Sequence, residues 1–302
     1  MLSGDVVKRF RISDGDDFRL SDIDPGDTLG LDLEKDEAKE LLAAGTKRLA
    51  DLQERLYAES RWSLLIILQA MDAAGKDSAI EHVMSGVNPQ GCAVTSFKAP
   101  STTELKHDFL WRATLPLPGR GQIGIFNRSY YEEVLVVRVH RDLLDKQGLP
   151  DKLVGDDLWR DRFDSIRDFE RHLARNGTAI LKFFLHVSRD EQRKRFLERI
   201  DEPDKRWKFA LGDVAERQLW PKYMDAYEDA IRNTATKHAP WHVVPADNKW
   251  FTRLVVAATI VEKLEEIDPN YPKVDSAALS AMVEAREKLV AEPSDSKSGK
   301  SN

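Results

Sequence analysis

The sequence predicts an α/β fold in which a parallel sheet is enclosed by helices on both faces. Five short apolar runs of strand length alternate with longer stretches in which apolar residues recur at helical spacing. In addition, the first apolar run leads through a loop of small residues into a helical stretch, which is the connection typical of parallel sheets. Polar residues that follow the strands should therefore gather at one edge of the sheet, where ligands bind in such folds.

The first elements follow in chain order. Residues 1–33 are rich in Asp and Gly and lack a clear period, which predicts a loose N-terminal arm. Four leucines at helical spacing predict an amphipathic helix over about residues 34–60, and the apolar run at residues 62–69 predicts a buried strand. A helical stretch follows the loop at residues 70–78. After an Asn-Pro-Gln-Gly turn, residues 93–97 predict a second strand.

The middle of the chain predicts one helix, one loop and one strand. Residues 101–113 have helical spacing, with Ser101 or Thr102 as the N-cap. Two Pro and two Gly predict a loop over residues 115–121. The apolar run at residues 122–127 then predicts a third buried strand.

The second half of the chain continues the alternation of strands and helices. Residues 178–187 predict a fourth strand, and Ser188 with Glu191 forms a capping-box pattern that starts a helix. Residues 214–233 predict a polar helix with several aromatic side chains, and residues 241–244 predict a short fifth strand. The last core helix follows that strand, with apolar residues at helical spacing.

These elements predict one domain, which the N-terminal arm precedes and a short tail follows. The domain spans residues 34–291 and carries a helical lid at about residues 188–225. The Ser- and Lys-rich residues 292–302 predict a disordered tail.

Composition narrows the class of protein. The chain has 302 residues and a net charge of −6, which gives no reason to expect nucleic-acid binding. Its single cysteine, Cys92, excludes an internal disulfide and is typical of a reducing compartment. The N-terminus lacks the apolar core of a secretory signal, and no apolar run approaches the ~20 residues that span a bilayer. We therefore expect a cytoplasmic protein with no membrane association.

The loop at residues 70–78 is the most informative segment. A buried strand, a loop of small residues that ends in Gly75 and Lys76, and a helix form the layout of a phosphate-binding loop. The helix start directs backbone N–H groups and a positive dipole end at one point, and Lys76 adds a full positive charge. The alternative is a strand that ends in a tight turn, with Lys76 solvated. The other loop residues predicted to contact phosphate are Ala73, Ala74, Gly75, Asp77 and Ser78.

The loop departs in two places from the pattern Gly-x-x-x-x-Gly-Lys-Ser/Thr. Ala70 replaces the first Gly, and Asp77 takes the place of the hydroxyl that binds Mg²⁺. An acidic residue, Asp72, lies inside the loop, where a carboxylate that faces phosphate is unfavourable unless a divalent cation lies between them. We therefore predict that Asp72 binds the metal ion.

A second group of polar residues follows the strand at residues 122–127. In phosphate-loop enzymes an acidic side chain at this place holds Mg²⁺, and here Asn127 offers a neutral oxygen instead. Arg128 is suited to bidentate contact with phosphate oxygens, and Glu132 follows about one helical turn later, where it can supply negative charge. Lys98 follows the second strand and should lie at the same edge. The alternative is a strand-end cap with an Arg–Glu salt bridge.

Residues 189–208 carry eight basic and six acidic side chains. Such a run is often a solvated helix face. The alternative is an Arg-rich lid that closes over bound phosphates, excludes water and stabilises developing charge. The run begins directly after a core strand, at the predicted binding edge, and this position favours a lid.

Together these segments resemble the polyphosphate kinase type 2 family. The likeness covers roughly residues 35–265 and is specific, because several long motifs occur in the family's order. It implies a phosphate-loop kinase fold with a helical lid. It also implies transfer of the terminal phosphoryl group between inorganic polyphosphate and a nucleotide, with Mg²⁺, or alternatively Mn²⁺, as the metal. The motifs lie at residues 69–91, 96–101, 126–132, 191–193, 205–208, 238–241 and 245–247.

The resemblance also implies roles for individual residues. Asp72 and Lys76 belong to the phosphate loop, and Asn127 and Arg128 belong to the second motif. Many family members carry Asp where Asn127 stands, and Asn127 with Glu132 is similar to the subgroup that accepts both nucleoside mono- and diphosphates. These five are the predicted catalytic residues. The lid residues implied to contact phosphate are Arg193, Arg199, Lys205, Arg206 and Lys208.

The expected substrates are inorganic polyphosphate and adenine nucleotides, with guanine nucleotides as an alternative, and the family implies a homo-oligomer. Two rival functions share parts of the pattern. A nucleoside monophosphate kinase that uses ATP shares the fold and Lys76. A non-catalytic module could sense phosphate through lid closure. Formation of ATP from ADP and polyphosphate alone would distinguish a polyphosphate-dependent kinase from both rivals.

Overall fold

The centre of the fold is a six-stranded sheet, seen in a computed structural model that describes residues 4–292. In space the strands follow the order β1-β6-β5-β2-β4-β3, and all neighbours are parallel except β1 and β6. The predicted α/β fold and its five predicted strands are confirmed. The strands are β1 (Arg11–Ile12), β2 (Ser63–Gln69), β3 (Cys92–Ser96), β4 (Ile123–Asn127), β5 (Thr178–His186) and β6 (Trp241–Pro245).

Strand β2 lies in the middle of the sheet, and every one of its residues is buried. It pairs with β4 on one side, where Leu68 is opposite Asn127, and with β5 on the other, where Gln69 is opposite Phe184. Because the carboxyl ends of parallel strands meet at one edge, the segments that follow β2 and β4 lie side by side.

The helices form two groups around this sheet. Helices α2, α3 and α10 pack together, and helices α5, α6 and α9 form the second group. Within residues 4–292, every helix is too short or too polar to span a bilayer. The helices are α1 (Gly4–Arg9), α2 (Lys35–Glu59), α3 (Lys76–Val83), α4 (Trp111–Thr114), α5 (Val136–Val139), α6 (Leu158–Arg175), α7 (Arg189–Asp201), α8 (Leu211–Gln218), α9 (Trp220–Thr234), α10 (Lys249–Ile267) and α11 (Ser276–Ala291).

The N-terminal residues differ from the loose arm that their composition suggests. Helix α1 and strand β1 pack on the core, where Phe10 and Leu20 are buried and Phe10 meets Phe251 edge-on at 5.9 Å. A Cβ on Gly15 would lie 2.0 Å from the carbonyl oxygen of Arg232, so only glycine allows the segment to approach α9 this closely. Residues 4–20 therefore pack against the domain.

The predicted helix over residues 101–113 is broken into two short pieces. The first piece is a 3₁₀ turn with Thr103 at its N-cap position, and the hydroxyl of Ser101 before it accepts a hydrogen bond from the backbone N–H of Glu104 at 3.3 Å. The carboxylate of Asp108 then accepts from the N–H of Leu110 at 3.0 Å and starts a new turn that leads into α4. Local side-chain capping thus overrides the helical spacing.

The predicted helix over residues 214–233 is also two helices, α8 and α9, which meet at Leu219. Pro221 lies in the first turn of α9, where its missing N–H is tolerated, and it prevents α8 from continuing. Helices α6 and α11 were not predicted. Apart from Glu292, the predicted disordered tail lies outside the described residues.

A fully buried ion pair joins Lys182 of β5 to Glu170 of α6. Lys182 Nζ donates to Glu170 Oε2 at 2.6 Å, to the hydroxyl of Tyr131 at 3.0 Å and to the carbonyl of Thr234 at 2.8 Å. The hydroxyls of Tyr130 and Tyr131 donate to the other carboxylate oxygen at 2.9 and 2.8 Å. Burial lowers the pKa of Lys182, and the carboxylate of Glu170 opposes this shift. The network fixes Tyr130 and Tyr131, which lie within the second polar motif.

We expect Lys182→Met to lower the free energy of unfolding by about 3–5 kcal/mol, because it leaves a buried carboxylate without its counter-charge. Urea unfolding at neutral pH measures the change. Lys194→Met alters an exposed lysine of α7 and should change the free energy of unfolding by less than about 0.5 kcal/mol. The double variant Glu170→Gln with Lys182→Met should recover part of the loss. A single variant as stable as the parent would contradict the network's role.

Candidate active site

A cleft of about 850 Å³ opens at the carboxyl edge of the sheet. One wall is the loop between β2 and α3 with the end of β4, and the opposite wall is α7 with the 3₁₀ turn Pro203–Lys208. The structure thus brings the predicted loop, the second motif and the lid together. The predicted residues that line the cleft are Asp72, Ala73, Gly75, Lys76, Asp77, Ser78, Lys98, Asn127, Arg128, Arg199, Lys205 and Lys208.

The backbone of the loop is shaped to end β2 and start α3 in a small space. Gly75 is the N-cap of α3 and has a φ of 110°, which strains any other residue. Ala73 also adopts a left-handed conformation, with a φ of 61°, although it carries a side chain. The start of α3 therefore opens onto the cleft, as anion binding at a helix N-terminus requires.

Lys76 is buried beneath this loop. The alternative interpretation required a solvated Lys76, and the structure does not show one. Its Nζ donates to the carbonyl oxygen of Ala70 at 2.7 Å and lies 3.4 Å from that of Met71. Burial lowers the pKa of Lys76, and the nearby carboxylate of Asp72 opposes the shift. Lys76 therefore places its own positive charge at the cleft, within the loop.

Arg128 joins the two predicted motifs. Its Nη2 donates to Asp72 Oδ1 at 2.8 Å, and its Nη1 lies 3.5 Å from Glu132 Oε2. Arg128 and Asp72 keep 39 % and 35 % of their side-chain surface exposed, so both remain accessible from the cleft. Glu132 is more buried, and burial raises the pKa of its carboxyl, although Arg128 and Lys76 oppose this.

A second contact links the loop to the end of β4. Asn127 Nδ2 donates to Asp77 Oδ1 at 2.6 Å. The amide nitrogen of Asn127, rather than the predicted oxygen, therefore faces the carboxylate that stands at the usual hydroxyl position. Asp77 and Asp72 both line the cleft.

The cleft offers ligands that suit a metal bound together with substrate. Mg²⁺ in kinases is held by one or two carboxylates and by substrate phosphates, and Asp72 and Asp77 provide two carboxylates here. Across residues 4–292, no cluster of three or more His, Cys, Asp or Glu side chains is arranged to hold a metal. The residues present thus fit a divalent cation that completes its coordination with phosphate oxygens.

Three of the five predicted lid residues, Arg199, Lys205 and Lys208, line the cleft. Arg199 Nη1 lies 3.9 Å from Asp213 Oδ2 and donates to the carbonyl of Lys208 at 3.3 Å. Burial raises the pKa of Asp213, and Asp72 adds to the shift. The predicted lid segment therefore presents a mainly cationic surface to the loop at residues 70–78.

Four predicted site residues lie elsewhere. Arg193 is 66 % exposed beside Asp190, and Arg206 donates from Nε to the carbonyl of Ile200, so both lie outside the cleft wall. Ala74 is a buried residue of the loop, and its carbonyl oxygen accepts a hydrogen bond from Arg195 of α7. Glu132 borders a neighbouring cavity instead.

The start of α10 contributes two cations that were not predicted. Lys249 and Arg253 lie one helical turn apart and line the cleft, and Arg253 Nη2 donates to the hydroxyl of Ser78 at 2.7 Å. Burial lowers the pKa of Lys249, and the nearby charge of Arg195 adds to this shift. Because α10 follows β6, the rule that ligands gather at the carboxyl edge could have identified both residues.

A smaller cavity of about 320 Å³, which we call the side pocket, opens beside the cleft. The two spaces share Phe97, Lys98, Ala99 and Arg128 as wall residues. A mainly apolar space thus adjoins a strongly cationic one. The apolar side chains that line the side pocket include Phe97, Pro100, Leu105, Val136, Val137 and Leu143.

One family model, two relatives and one solved structure that are similar to this chain carry names that refer to polyphosphate. The family model described as Polyphosphate kinase 2 matches residues 32–272, a range that includes every residue of the cleft wall. The "ADP-polyphosphate phosphotransferase" of Rhodopseudomonas palustris is 51 % identical over 289 residues, or 94 % of this chain and 98 % of that relative. The "AMP/ADP-polyphosphate phosphotransferase" of Meiothermus ruber is 46 % identical over 92 % of this chain and 100 % of its own length. The crystal structure of Polyphosphate Kinase 2 from Arthrobacter aurescens TC1 has a TM-score of 0.83 and 43 % identity, with 92 % and 96 % of the two chains covered.

Proposed function

This chain belongs to the polyphosphate kinase 2 family, and we propose that it transfers phosphoryl groups between inorganic polyphosphate and adenine nucleotides, with both AMP and ADP as acceptors. One observation carries the proposal: the buried Lys76 and the Arg128 guanidinium face lid cations across a single cleft. Two polyanionic substrates repel one another strongly, and a site that joins them must concentrate positive charge at the point of transfer.

We assign different substrates to the two connected spaces. The side pocket has the apolar walls that suit a base and a ribose, and its opening near Arg128 leads a nucleotide's phosphates into the cleft. The cleft has the positive charge that a polyphosphate chain requires, and the chain would lie along Arg199, Lys205 and Lys208. The two reactive phosphates would then meet at Lys76 and the start of α3.

The chain's own groups supply positioning and charge. Lys76 and the N–H groups at the start of α3 would hold the oxygens of the transferred group, so the attacking and leaving oxygens lie in line. Lid closure would exclude water and so prevent hydrolysis. Asp72 and Asp77 are the residues that would hold a divalent metal, which neutralises charge on the phosphate oxygens when bound. Both Mg²⁺ and Mn²⁺ accept such oxygen ligands.

The test is a donor assay with one nucleotide present at a time. ADP with polyphosphate and Mg²⁺ should yield ATP, and AMP should yield ADP and then ATP, when the products are separated by chromatography. A sample without polyphosphate controls for conversion of two ADP molecules into ATP and AMP. Phosphorylation of AMP by ATP with no response to polyphosphate would establish the rival nucleoside monophosphate kinase. Tight phosphate binding without turnover would establish the binding module.

Two finer parts of the proposal use the same sample. GDP in place of ADP tests whether guanine nucleotides are accepted. Light scattering tests whether the chain forms the homo-oligomer that the family implies.

A further inference from the structure

Helix α7 carries an arginine, Arg195, that is only 4 % exposed although it lies at the edge of a cationic cleft. Its Nε donates to Glu191 Oε1 at 2.9 Å. Its Nη1 donates to two carbonyl oxygens of the phosphate loop, those of Ala73 at 3.0 Å and Ala74 at 2.8 Å. The side chain therefore crosses from the lid to the back of the loop.

The remaining donors of Arg195 point to a third segment. Its Nη2 donates to the carbonyl oxygens of Ala246 at 2.7 Å and Asp247 at 3.0 Å, between β6 and α10. A guanidinium has five N–H groups, and all five now have a partner. None is left to bind a phosphate oxygen unless a contact with the protein is broken.

A second side chain of α7 holds the loop carbonyl group that precedes the two bound by Arg195. Gln192 is 1 % exposed, and its Nε2 donates to the carbonyl oxygen of Asp72 at 2.9 Å. Its Oε1 accepts from Arg217 Nη1 at 3.0 Å. Three consecutive carbonyl groups of the loop, at residues 72, 73 and 74, are thus held by two adjacent turns of one helix.

We propose that Arg195 is a positioning residue that fixes the phosphate loop and makes α7 the immobile base of the lid, rather than a ligand of polyphosphate. This inference rests on the proposed function, because the loop is the place of phosphoryl transfer. Lid movement would then be confined to the residues that follow Asp201, including the 3₁₀ turn Pro203–Lys208 and α8.

The physical reason lies in the polarity of the loop. A loop that binds phosphate must turn its N–H groups toward the anion and its carbonyl oxygens away from it. The left-handed φ of 61° at Ala73 is strained for a residue with a side chain, and such strain persists only where the surroundings fix it. Hydrogen bonds from Arg195 supply that restraint. Without them, a peptide flip would turn a carbonyl oxygen toward the substrate.

The kinetic test compares three arginines of the same helix. Arg195→Lys keeps the charge but cannot span three segments, and it should lower kcat about a hundredfold through misplacement of the loop. It should leave unchanged the slope of log KM for polyphosphate against log salt. Arg199→Gln removes a residue of the cleft wall and should reduce that slope by about one. Arg193→Gln is the exposed control and should change neither quantity.

A second measurement does not depend on turnover. Hydrogen exchange of the ligand-free protein, followed by mass spectrometry, should be faster over residues 71–79 in Arg195→Lys than in the parent, and unchanged in Arg193→Gln. Gln192→Leu should show the same exchange increase if Arg195→Lys does not fold. A reduced salt slope in Arg195→Lys would make it a phosphate ligand and overturn the proposal. Normal kcat, or unchanged exchange over residues 71–79, would overturn it as well. Absence of polyphosphate-dependent turnover in the parent would instead refute the proposed function.

Discussion

Replacing Lys76 by Met is expected to lower kcat/KM for ADP phosphorylation by about a thousandfold, the loss seen when one preorganised charge-stabilising group is removed. The side chain is buried below the loop, so no cation from solvent can take its place. Because methionine has a similar length and the buried charge is itself unfavourable, the fold should persist. Steady-state kinetics and thermal unfolding of the same sample separate the two effects.

The matched control for this experiment is Lys194→Met, which removes an exposed lysine of α7 and should leave kcat/KM unchanged. Lys76→Arg should not restore activity, since a guanidinium is larger than an ammonium and the Nζ of Lys76 already lies 2.7 Å from a carbonyl oxygen. A loss smaller than tenfold in Lys76→Met would show that phosphoryl transfer takes place elsewhere.

Asp72→Asn is expected to lower kcat/KM about a hundredfold and to raise the Mg²⁺ concentration for half-maximal activity. The amide is a weaker metal ligand than the carboxylate, and it also removes the ionic partner of Arg128 at 2.8 Å. A Mg²⁺ titration at saturating ADP and polyphosphate measures both changes.

Asp190→Asn provides the comparison for that titration, because Asp190 is exposed on α7 and pairs only with Arg193 at 3.8 Å among the described residues. Its metal dependence should equal that of the parent. If Asp72→Asn retained both its activity and its metal response, the carboxylate would have no part in metal binding.

The strands could be predicted because a strand buried on both faces must be apolar along its length, as β2 is. Strand β1 could not be predicted, since it has two residues and exists only by pairing with β6, more than 200 residues later. The N-terminal packing was missed for the same reason. The apolar residues Phe10, Phe18 and Leu20 show no period, and only the folded core reveals that they are buried.

The phosphate loop could be predicted because its residues are contiguous. The residues of α7 that hold the loop in place could not be predicted. Residues 192, 195, 196 and 199 of α7 face inward or toward the cleft at helical spacing, but only Phe196 among them is apolar. A period based on hydrophobicity cannot detect such a stripe. The sequence therefore could not separate Arg193 from Arg195, which lie on nearly opposite sides of the helix.

The pairing of Arg128 with Asp72 has a consequence for the selection of anions. One N–H group of the guanidinium already donates to a carboxylate at 2.8 Å, so an anion that needs this N–H group must compete with Asp72 for it. A singly charged anion such as chloride or acetate offers too little attraction to displace a tethered carboxylate. A phosphoanhydride with several negative charges exerts a much stronger pull. The ion pair thus favours multiply charged anions over small monovalent ones at this N–H group.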